Sequence, residues 1–325
     1  MQLIRQTEFL ALGLLHFTKS AFAAKQKLFE PIPSNLESLH CVITGANSGI
    51  GYATAEALAK SSCNLYLVCR NEERGQAAVN KLKEISGNQR IFLYPCDMSN
   101  MKQVKKLAKQ LIFEKRPVNV LIHNAGCMVH KYQLTEEGFE TNFATNVLSV
   151  FYLTELLLPT LNENRPSRVI VVSSGGMLTE PLITDDLQMK KEPFDGMKQY
   201  ARNKRQQVAL VEYWSMKYVD MNTSFFSMHP GWVNTPVVQE SMPQFYKTMK
   251  SRLRTPEQGA DTVVWLACAS SVRKEDSGNF FLDRSRVEKH LPLAHTHYSK
   301  NDMERLYDIM QSLVASLENN QNDEK

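Results

Sequence analysis

The sequence predicts an α/β protein with one doubly wound parallel sheet and helices on both of its faces. Two observations predict this class. Short apolar runs typical of buried strands alternate with helical stretches of ten or more residues, and a glycine-rich turn follows the first run. In such a sheet, ligands bind at the carboxyl ends of the strands. Each loop after a strand is therefore a candidate site.

The first strand and helix enclose the glycine-rich turn. The apolar run at residues 41–43 precedes residues 44–51, which read Thr-Gly-Ala-Asn-Ser-Gly-Ile-Gly, and residues 52–59 then favour a helix that continues through Lys60. Glycines let the backbone approach a ligand closely, and free N–H groups at a helix N-terminus bind phosphate. By itself this segment is equally compatible with an ordinary turn, so its interpretation depends on the rest of the chain.

The later elements follow the same alternation. Strands are predicted over residues 64–69, 91–95, 118–123 and 168–172, and helices over about 75–85, 101–113 and 138–161. We divide the chain into residues 1–37, an N-terminal amphipathic extension, residues 38–285, the sheet domain, and residues 286–325, a C-terminal loop, helix and frayed tail that begins at residue 319.

Composition excludes several classes of protein. With 325 residues, 43% hydrophobic and 22% charged, the chain can bury a substantial core. The net charge of +4 gives no basis for nucleic-acid binding, which needs a basic stripe. The six cysteines form no Cys-x-x-Cys pair and are interpreted as reduced and structural. No stretch reaches the ~20 apolar residues of a membrane span, so we expect an intracellular protein.

The N-terminus qualifies this localisation. The apolar run at residues 9–17 follows Arg5 and precedes residues 21–23, which resembles a secretory signal. Apolar residues also recur at helical spacing, namely Leu3, Ile4, Ala11, Leu14, Leu15 and Phe22. An amphipathic helix is therefore favoured, packed on the body or bound peripherally to a membrane through residues 1–30. A cleaved signal is the less favoured alternative.

The loops after successive predicted strands carry a characteristic set of residues. These are residues 44–51, Arg70, Asp97, residues 124–126, residues 173–174, and then Tyr200 with Lys204. In this order the set resembles the short-chain dehydrogenase/reductase family, over about residues 38–285. Phrases at residues 126–129, 173–178, 193–196, 203–207 and 227–232 resemble its retinol-dehydrogenase-like branch, and one member of that branch in particular. The resemblance implies a Rossmann-type fold.

The resemblance implies a catalytic tyrosine and lysine. Tyr200 would donate a proton to the alkoxide that forms when a carbonyl accepts hydride, although a free phenol has a pKa of about 10. Lys204 lies one helical turn later, where its ammonium would lower the pKa of that phenol.

Two further residues complete the implied catalytic set. Ser174 would hydrogen-bond the substrate oxygen, with Ser173 as the alternative. Asn146 would bend its helix and hold a water that links the lysine to solvent, with Asn142 as the alternative for this part. One departure from the family is Asn203, where a serine is common before the lysine.

The resemblance also implies a dinucleotide site. The residues implied to bind the cofactor are Gly45, Asn47, Ser48, Gly49, Ile50, Gly51, Arg70, Asp97, Asn124, Ala125, Gly126, Tyr200, Lys204, Pro230, Gly231, Val233 and Thr235. The turn would hold the pyrophosphate. A second departure is His123, which occupies a position where the family usually has an asparagine, and we expect it to be tolerated as a structural residue.

The cofactor preference rests on the end of the second strand. An acidic residue there would bind a free ribose 2′-hydroxyl, whereas a cation would bind a 2′-phosphate. This chain has Arg70, whose guanidinium can engage phosphate bidentately, so NADP(H) is favoured over NAD(H). Asn47 is a possible helper.

An inserted segment between the serines and Tyr200 affects the substrate prediction. Residues 182–189 mix acidic and apolar side chains and should lie beside the substrate. They are joined by Met177, Leu178, Trp232, Met242, Phe245 and Tyr246. Together they suggest an apolar pocket, although these side chains would equally serve to pack the loop against the body.

The sequence is compatible with two functions. The favoured one is an enzyme that transfers hydride between NADP(H) and a small lipophilic carbonyl or alcohol, as a homodimer or a monomer. The alternative is a non-catalytic NADP(H)-binding regulatory or scaffold protein. No metal site is predicted, because His290, His295 and His297 lie in a loop without cysteine or carboxylate neighbours.

Overall fold

The computed structural model describes residues 2–164 and 166–323. Eight strands within this part of the chain form one sheet, in the order β3-β2-β1-β4-β5-β6-β7-β8. The strands are β1 His40–Thr44, β2 Asn64–Cys69, β3 Ile91–Pro95, β4 Val120–His123, β5 Ser167–Val172, β6 Thr223–Met228, β7 Phe280–Leu282 and β8 Ser285–Arg286. All neighbouring pairs are parallel except β7 and β8.

Helices connect the strands and cover the sheet. They are α1 Gln2–His16, α2 Lys19–Gln26, α3 Gly49–Lys60, α4 Glu72–Ser86, α5 Met101–Phe113, α6 Thr141–Phe143, α7 Ser149–Glu163, α8 Gly196–Lys217, α9 Pro236–Ser241, α10 Pro243–Met249, α11 Pro256–Cys268 and α12 Lys300–Asp323. The predicted doubly wound sheet with helices on both faces is confirmed. The frayed tail predicted from residue 319 is helical as far as Asp323, and residues 324 and 325 lie outside the described residues.

The two faces of the sheet bury separate cores. Within β1, the side chain of Val42 joins the core formed with α5, α7, α8 and α12, whereas Cys41 and Ile43 join the core formed with α3, α4 and α11. Successive side chains of a strand point to opposite faces, so a strand covered on both sides must be apolar throughout. This requirement explains the uninterrupted apolar runs. All six cysteines are free thiols, as the sequence predicts.

The order of the strands determines where a ligand can bind. From β1 the chain builds outward through β2 and β3 and then returns to place β4 on the other side of β1. The loops that follow β1 and β4 therefore diverge and leave a crevice at the carboxyl ends of the strands. The β2 loop lies on one side of this crevice, and the β5 and β6 loops lie on the other.

Residues 141–163 form one apolar helical unit with an irregular start. A single π-helical turn, Ala144–Leu148, separates α6 from α7. By length and composition this unit is the one helix among the described residues that is apolar enough to cross a membrane, a property that the sequence prediction missed. Most of its side chains are buried in the core, including Phe143, Phe151 and Leu157.

The N-terminal extension packs on the body. Phe17 and Phe22 are each 1% exposed, and Phe17 belongs to a third core cluster at the edge of the sheet, which includes Met177, Trp232 and Phe280. Of the three alternatives for this segment, the structure shows the packed helix.

Candidate active site

A cavity of about 480 Å³ lies at the carboxyl ends of the strands. It is lined by most of the residues that the sequence assigns to the site, namely Gly45, Asn47, Ser48, Gly49, Ile50, Arg70, Asp97, Asn124, Ala125, Gly126, Ser174, Tyr200, Lys204, Pro230, Gly231, Val233 and Thr235. Gly51 and Asn146 do not line it and lie behind its wall. The fold therefore gathers residues from the loops after six strands, and from α8, around one space.

The glycine turn connects β1 to α3. Gly45 and Gly49 have φ angles of 66° and 54°, a left-handed conformation that glycine adopts without strain. A Cβ atom at Gly51 would lie 2.3 Å from the Gly45 oxygen and 2.4 Å from Asn124 Nδ2. Gly51 thus allows the first turn of α3 to pack against the loop, and its role in cofactor binding stays a prediction.

Asn124 holds the turn in place from the neighbouring strand. Its Nδ2 donates to the Thr44 oxygen at 2.9 Å and to the Gly45 oxygen at 3.1 Å. In return, Thr44 Oγ1 accepts from the backbone N–H groups of Asn124 and Ala125, both at 3.0 Å. These bonds fix the floor of the crevice between β1 and β4.

His123 is structural, as expected. Its Nε2 lies 2.9 Å from Thr154 Oγ1, and burial lowers its pKa to about 3, so the ring is neutral at pH 7.

Two arginines follow β2 at one end of the cavity. Arg70 is exposed, with its Nε 3.9 Å from Asp97 Oδ2. Arg74 also lines the cavity, which the sequence prediction missed. Its backbone N–H donates to Oδ1 of Asn71, the residue that caps α4, at 2.8 Å. The helix starts at Glu72 rather than near residue 75, and this asparagine cap was the available signal that Arg74 lies in its first turn.

Tyr200 lies at the opposite end, in α8. Burial raises the pKa of its phenol to about 12, against the lowering effect of a hydrogen bond with Ser174. We expected Lys204 to lower this pKa, but desolvation of the phenolate is the larger effect. The phenol is therefore protonated at neutral pH, as a proton donor must be.

Lys204 lies one helical turn after the tyrosine, on the same side of α8. Its Nζ is 5.3 Å from the centre of the Tyr200 ring and donates to the Val172 oxygen at 2.9 Å. Burial lowers the pKa of Lys204 to about 8, so most of these side chains still carry an ammonium at pH 7.

The two neighbouring serines have different environments. Ser173 is 3% exposed, and its hydroxyl donates to the Lys204 backbone oxygen at 2.9 Å. Ser174 accepts a bond from the Gly176 N–H at 3.2 Å and faces the phenol of Tyr200. Of the two hydroxyls, that of Ser174 adjoins the tyrosine, which supports Ser174 rather than Ser173 as the residue that would bond the substrate oxygen.

Both candidate asparagines support the cavity from outside. Asn146 Oδ1 accepts from the Cys127 N–H and its Nδ2 donates to the Cys127 oxygen, each at 2.9 Å. Asn142 makes the same pair of bonds to Val129, at 2.7 and 2.9 Å. Asn146 lies within the π-helical turn, so its helix is irregular at this residue. Its backbone oxygen accepts a hydrogen bond from Gln207 Nε2 at 2.5 Å.

The family model described as short chain dehydrogenase matches residues 39–245. The chain belongs to the short-chain dehydrogenase/reductase family. It is an oxidoreductase of the type that binds NAD(P) in a Rossmann fold.

Two groups of curated relatives refine this likeness. Dehydrogenase/reductase SDR family member 12 is 46% identical in Bos taurus and 44% in Homo sapiens, over 97% of this chain and 99% of each relative. Retinol dehydrogenase 11 of Homo sapiens is 34% identical over 74% of this chain and 76% of its own. The predicted resemblance to the retinol-dehydrogenase-like branch, and within it to member twelve, is confirmed.

Solved structures share the fold at lower identity. A putative uncharacterized protein from Mycobacterium Paratuberculosis has a TM-score of 0.69 and 23% identity, covering 87% of this chain and 95% of its own. L-sorbose reductase from Gluconobacter frateurii, solved with NADPH and L-sorbose, has a TM-score of 0.61 and 19% identity. The match covers 77% of this chain and 96% of the reductase. These likenesses show the Rossmann fold of the short-chain dehydrogenase family.

The apolar lining of the cavity includes only some of the residues predicted for it. Trp232, Met242 and Phe245 line it, whereas Met177 and Leu178 are buried in the third core cluster. No residue of the inserted segment 182–189 is among the lining residues. Burial of Met177, Leu178, Leu187 and Met189 agrees with the packing alternative, whereas Asp185 is exposed and pairs with Lys191.

Proposed function

We propose that this short-chain dehydrogenase transfers hydride between NADP(H) and a small lipophilic carbonyl or alcohol, with Tyr200 as general acid and base. One observation carries the proposal. Ser174, Tyr200 and Lys204 meet at one end of a cavity whose other end holds Arg70 and Arg74. Proton-transfer groups and phosphate-binding groups thus share one crevice, which a non-catalytic nucleotide-binding protein would not need.

The glycine turn supports binding of a dinucleotide. Gly45 and Gly49 have the left-handed φ angles of a phosphate-binding turn, and α3 begins at Gly49, so its free N–H groups face the cavity. When bound, NADP(H) would supply or accept the hydride. The chain would hold its pyrophosphate at this turn and its 2′-phosphate between the guanidinium groups of Arg70 and Arg74.

The catalytic residues would then manage the proton. In reduction, the Tyr200 hydroxyl would donate to the carbonyl oxygen while the Ser174 hydroxyl stabilises the developing charge. The phenolate left on Tyr200 would be unstable in its buried position without a nearby cation. The Lys204 ammonium provides that cation, and because its pKa is about 8 it is charged at neutral pH.

The preference for NADP(H) is tested at Arg70. Reversing this charge in Arg70→Asp should shift the ratio of NADPH to NADH affinity toward NADH by about ten- to hundredfold, since a hydrogen bond to a charged group contributes about 1.5–3 kcal/mol. The measurement is fluorescence titration with both cofactors. Arg90→Asp is the matched control, because Arg90 is also exposed but pairs with Glu37 away from the cavity. An unchanged ratio in Arg70→Asp would mean that Arg70 does not read the phosphate.

The substrate class rests on apolar residues that line the cavity, among them Trp232, Met242 and Phe245. Relatives named retinol dehydrogenase support a lipophilic substrate. Steroid, retinoid, quinone and aliphatic carbonyls should be compared by the rate of NADPH oxidation. Oxidation with at least one lipophilic carbonyl is expected. Tight NADPH binding without turnover across the panel would favour the alternative of a regulatory NADP(H)-binding protein.

We also propose that α1 contacts an anionic membrane surface. Its outward side exposes Leu3, Ile4, Leu10, Leu14 and Leu15, and the exposed Lys19 and Lys27 follow in the adjoining segment. An apolar face beside positive charge is the pattern of an interfacial helix.

Sedimentation with phosphatidylserine vesicles tests this contact. The full chain should pellet with the vesicles, and a variant with serine at Leu10, Leu14 and Leu15 should not. Serine at the exposed Leu134 and Val219, remote in sequence from α1, is the matched control and should leave pelleting unchanged. Equal, negligible pelleting of all three proteins would contradict the proposal.

A further inference from the structure

The inward side of α1 contacts the wall of the active-site cavity. The ring centroids of Phe9 and Trp232 are 6.4 Å apart in an edge-on arrangement, and those of Phe17 and Trp232 are 5.8 Å apart. Trp232 in turn packs edge-on against Phe245, with centroids 5.3 Å apart, and both of these rings line the cavity. A continuous aromatic cluster thus joins α1 to the apolar part of the site.

The same helix also contacts the loop that carries the catalytic serine. A Cβ atom at Gly175 would lie 3.1 Å from Phe17 Cε2 and 3.2 Å from Phe9 Cε2. Gly175 directly follows Ser174, so the two phenylalanines fill the space next to the serine backbone. The rings of Phe9 and Phe17 are therefore wedged between the serine loop and Trp232.

Hydrogen bonds hold this arrangement together. The backbone N–H of Trp232 donates to the backbone oxygen of Phe17 at 2.9 Å. The backbone N–H of Arg254 donates to the backbone oxygen of Trp232 at 2.7 Å. Arg254 Nε also donates to the Phe17 oxygen, at 3.0 Å. The backbone after α1 is thus fixed to the loop after β6, and α1 cannot shift independently of Trp232.

Gly13 is the point of closest approach between α1 and the indole. A Cβ atom at this position would lie 2.1 Å from Trp232 Cζ2 and 2.5 Å from Cη2, distances that no real contact shows. Gly13 is buried within a helix, where glycine is unfavourable relative to alanine by about 1 kcal/mol. Glycine at this position leaves room for the outer edge of the indole.

We propose that α1 supports the Trp232 wall of the substrate site from behind and that Gly13 is a positioning residue, which sets the place of the Trp232 indole and hence the size of carbonyl that the site accepts. This inference deepens the proposed function and rests on it for the substrate. It assigns the N-terminal extension a role in substrate specificity in addition to the proposed membrane contact. The two roles are compatible, because the Trp232 contact uses the inward side of α1 and the membrane contact uses the outward side.

The substitution Gly13→Ala tests the proposal. Because the backbone on both sides is hydrogen-bonded, the indole must yield and move toward Phe245 and the cavity. The KM for a bulky cyclic carbonyl should rise about tenfold or more, the effect of a methylene-sized change in an apolar pocket. The kcat for a small aliphatic carbonyl and the affinity for NADPH should stay within about twofold of wild type, because the residues that transfer the proton do not move.

A double-mutant cycle with Trp232→Phe isolates the contact. The phenylalanine ring is smaller and does not reach the position of the indole Cζ2 and Cη2 atoms, so Gly13→Ala should have no further effect on KM in that background. Ala11→Gly is the matched control. Ala11 lies on the exposed side of α1, where the opposite exchange changes helix propensity without touching the indole and should leave KM unchanged.

The thermal unfolding midpoint gives a second readout that does not need turnover. Gly13→Ala should lower the midpoint in wild type but raise it or leave it unchanged in Trp232→Phe, where only the helix preference for alanine remains. An effect of Gly13→Ala on KM and midpoint that is the same in both backgrounds would overturn the proposal. Absence of any carbonyl turnover in wild type would contradict the proposed function instead, and the sign change in the midpoint would still decide the Gly13 contact.

Discussion

Tyr200→Phe is expected to reduce the rate of carbonyl reduction by about 10²–10⁴-fold, the usual contribution of a positioned acid or base. The substitution removes one oxygen, which faces Ser174, and leaves the aromatic ring packed beside Lys204. Affinity for NADPH should therefore stay close to that of wild type. Single-turnover oxidation of NADPH measures the first effect, and fluorescence titration measures the second.

The control for this variant is Tyr132→Phe. Tyr132 is an exposed tyrosine that packs against Phe194 and does not line the cavity. Loss of its hydroxyl should leave both the rate and the affinity unchanged. Full activity of Tyr200→Phe would show that the proton comes from another group, and loss of NADPH binding would show that the hydroxyl serves the cofactor rather than the substrate.

Arg254→Met is expected to lower the free energy of unfolding by up to about 3–5 kcal/mol, because it leaves the buried carboxylate of Asp283 with Lys25, 3.4 Å away, as its one remaining ion partner among the described residues. Arg254 and Asp283 are each 1% exposed and form a bidentate ion pair, at 2.5 and 3.0 Å. The same guanidinium donates to the His16 oxygen at 2.7 Å and to the Pro230 oxygen at 3.2 Å. Its loss would release the N-terminal helices and the loop after β6 together.

Denaturant unfolding should be used to measure the free energy of unfolding of Arg254→Met and of a control, Arg286→Met. Arg286 pairs with Asp276 near the surface, where such a pair contributes below about 1 kcal/mol. Similar, small losses in both variants would show that the buried pair does not anchor the N-terminal helices. A variant with Arg254→Met that is recovered only unfolded would agree with the expected loss.

The sheet could be predicted from the sequence because burial on both faces leaves a local pattern. Residues 64–69 and 91–95 were predicted with the observed bounds, and α5 also matches at both ends. Apolar periodicity carries this information within a few neighbouring residues. The site residues followed from a resemblance to a family, since the loops that bear them are irregular and have no periodicity to read.

The break between α6 and α7 could not be derived from periodicity. The apolar pattern runs through residues 138–161 without interruption, whereas in the structure Asn142 bonds the backbone of Val129 and Asn146, within the π-helical turn, bonds the backbone of Cys127. These partners are more than ten residues away in sequence. The resemblance implied a bend at Asn146, and the structure shows a π-helical turn at this residue.

The role of the N-terminal helix was also beyond the sequence. Amphipathic spacing predicted a helix with one apolar face, but α1 has an apolar inward side and an apolar outward side. Gly13 read as an ordinary member of an apolar run, because its partner Trp232 lies more than 200 residues later. Contacts of this kind depend on the three-dimensional fold and leave no local signal.

Hydride transfer itself is the most direct test of the proposed function. The protein would be incubated with a lipophilic carbonyl that it reduces and with NADPH deuterated at the transferable position of the nicotinamide ring, and the alcohol product would be analysed by mass spectrometry. We expect one deuterium on the carbinol carbon with wild type and almost no labelled product with Tyr200→Phe. Unlabelled alcohol from wild type, or equal labelling by both proteins, would contradict this expectation.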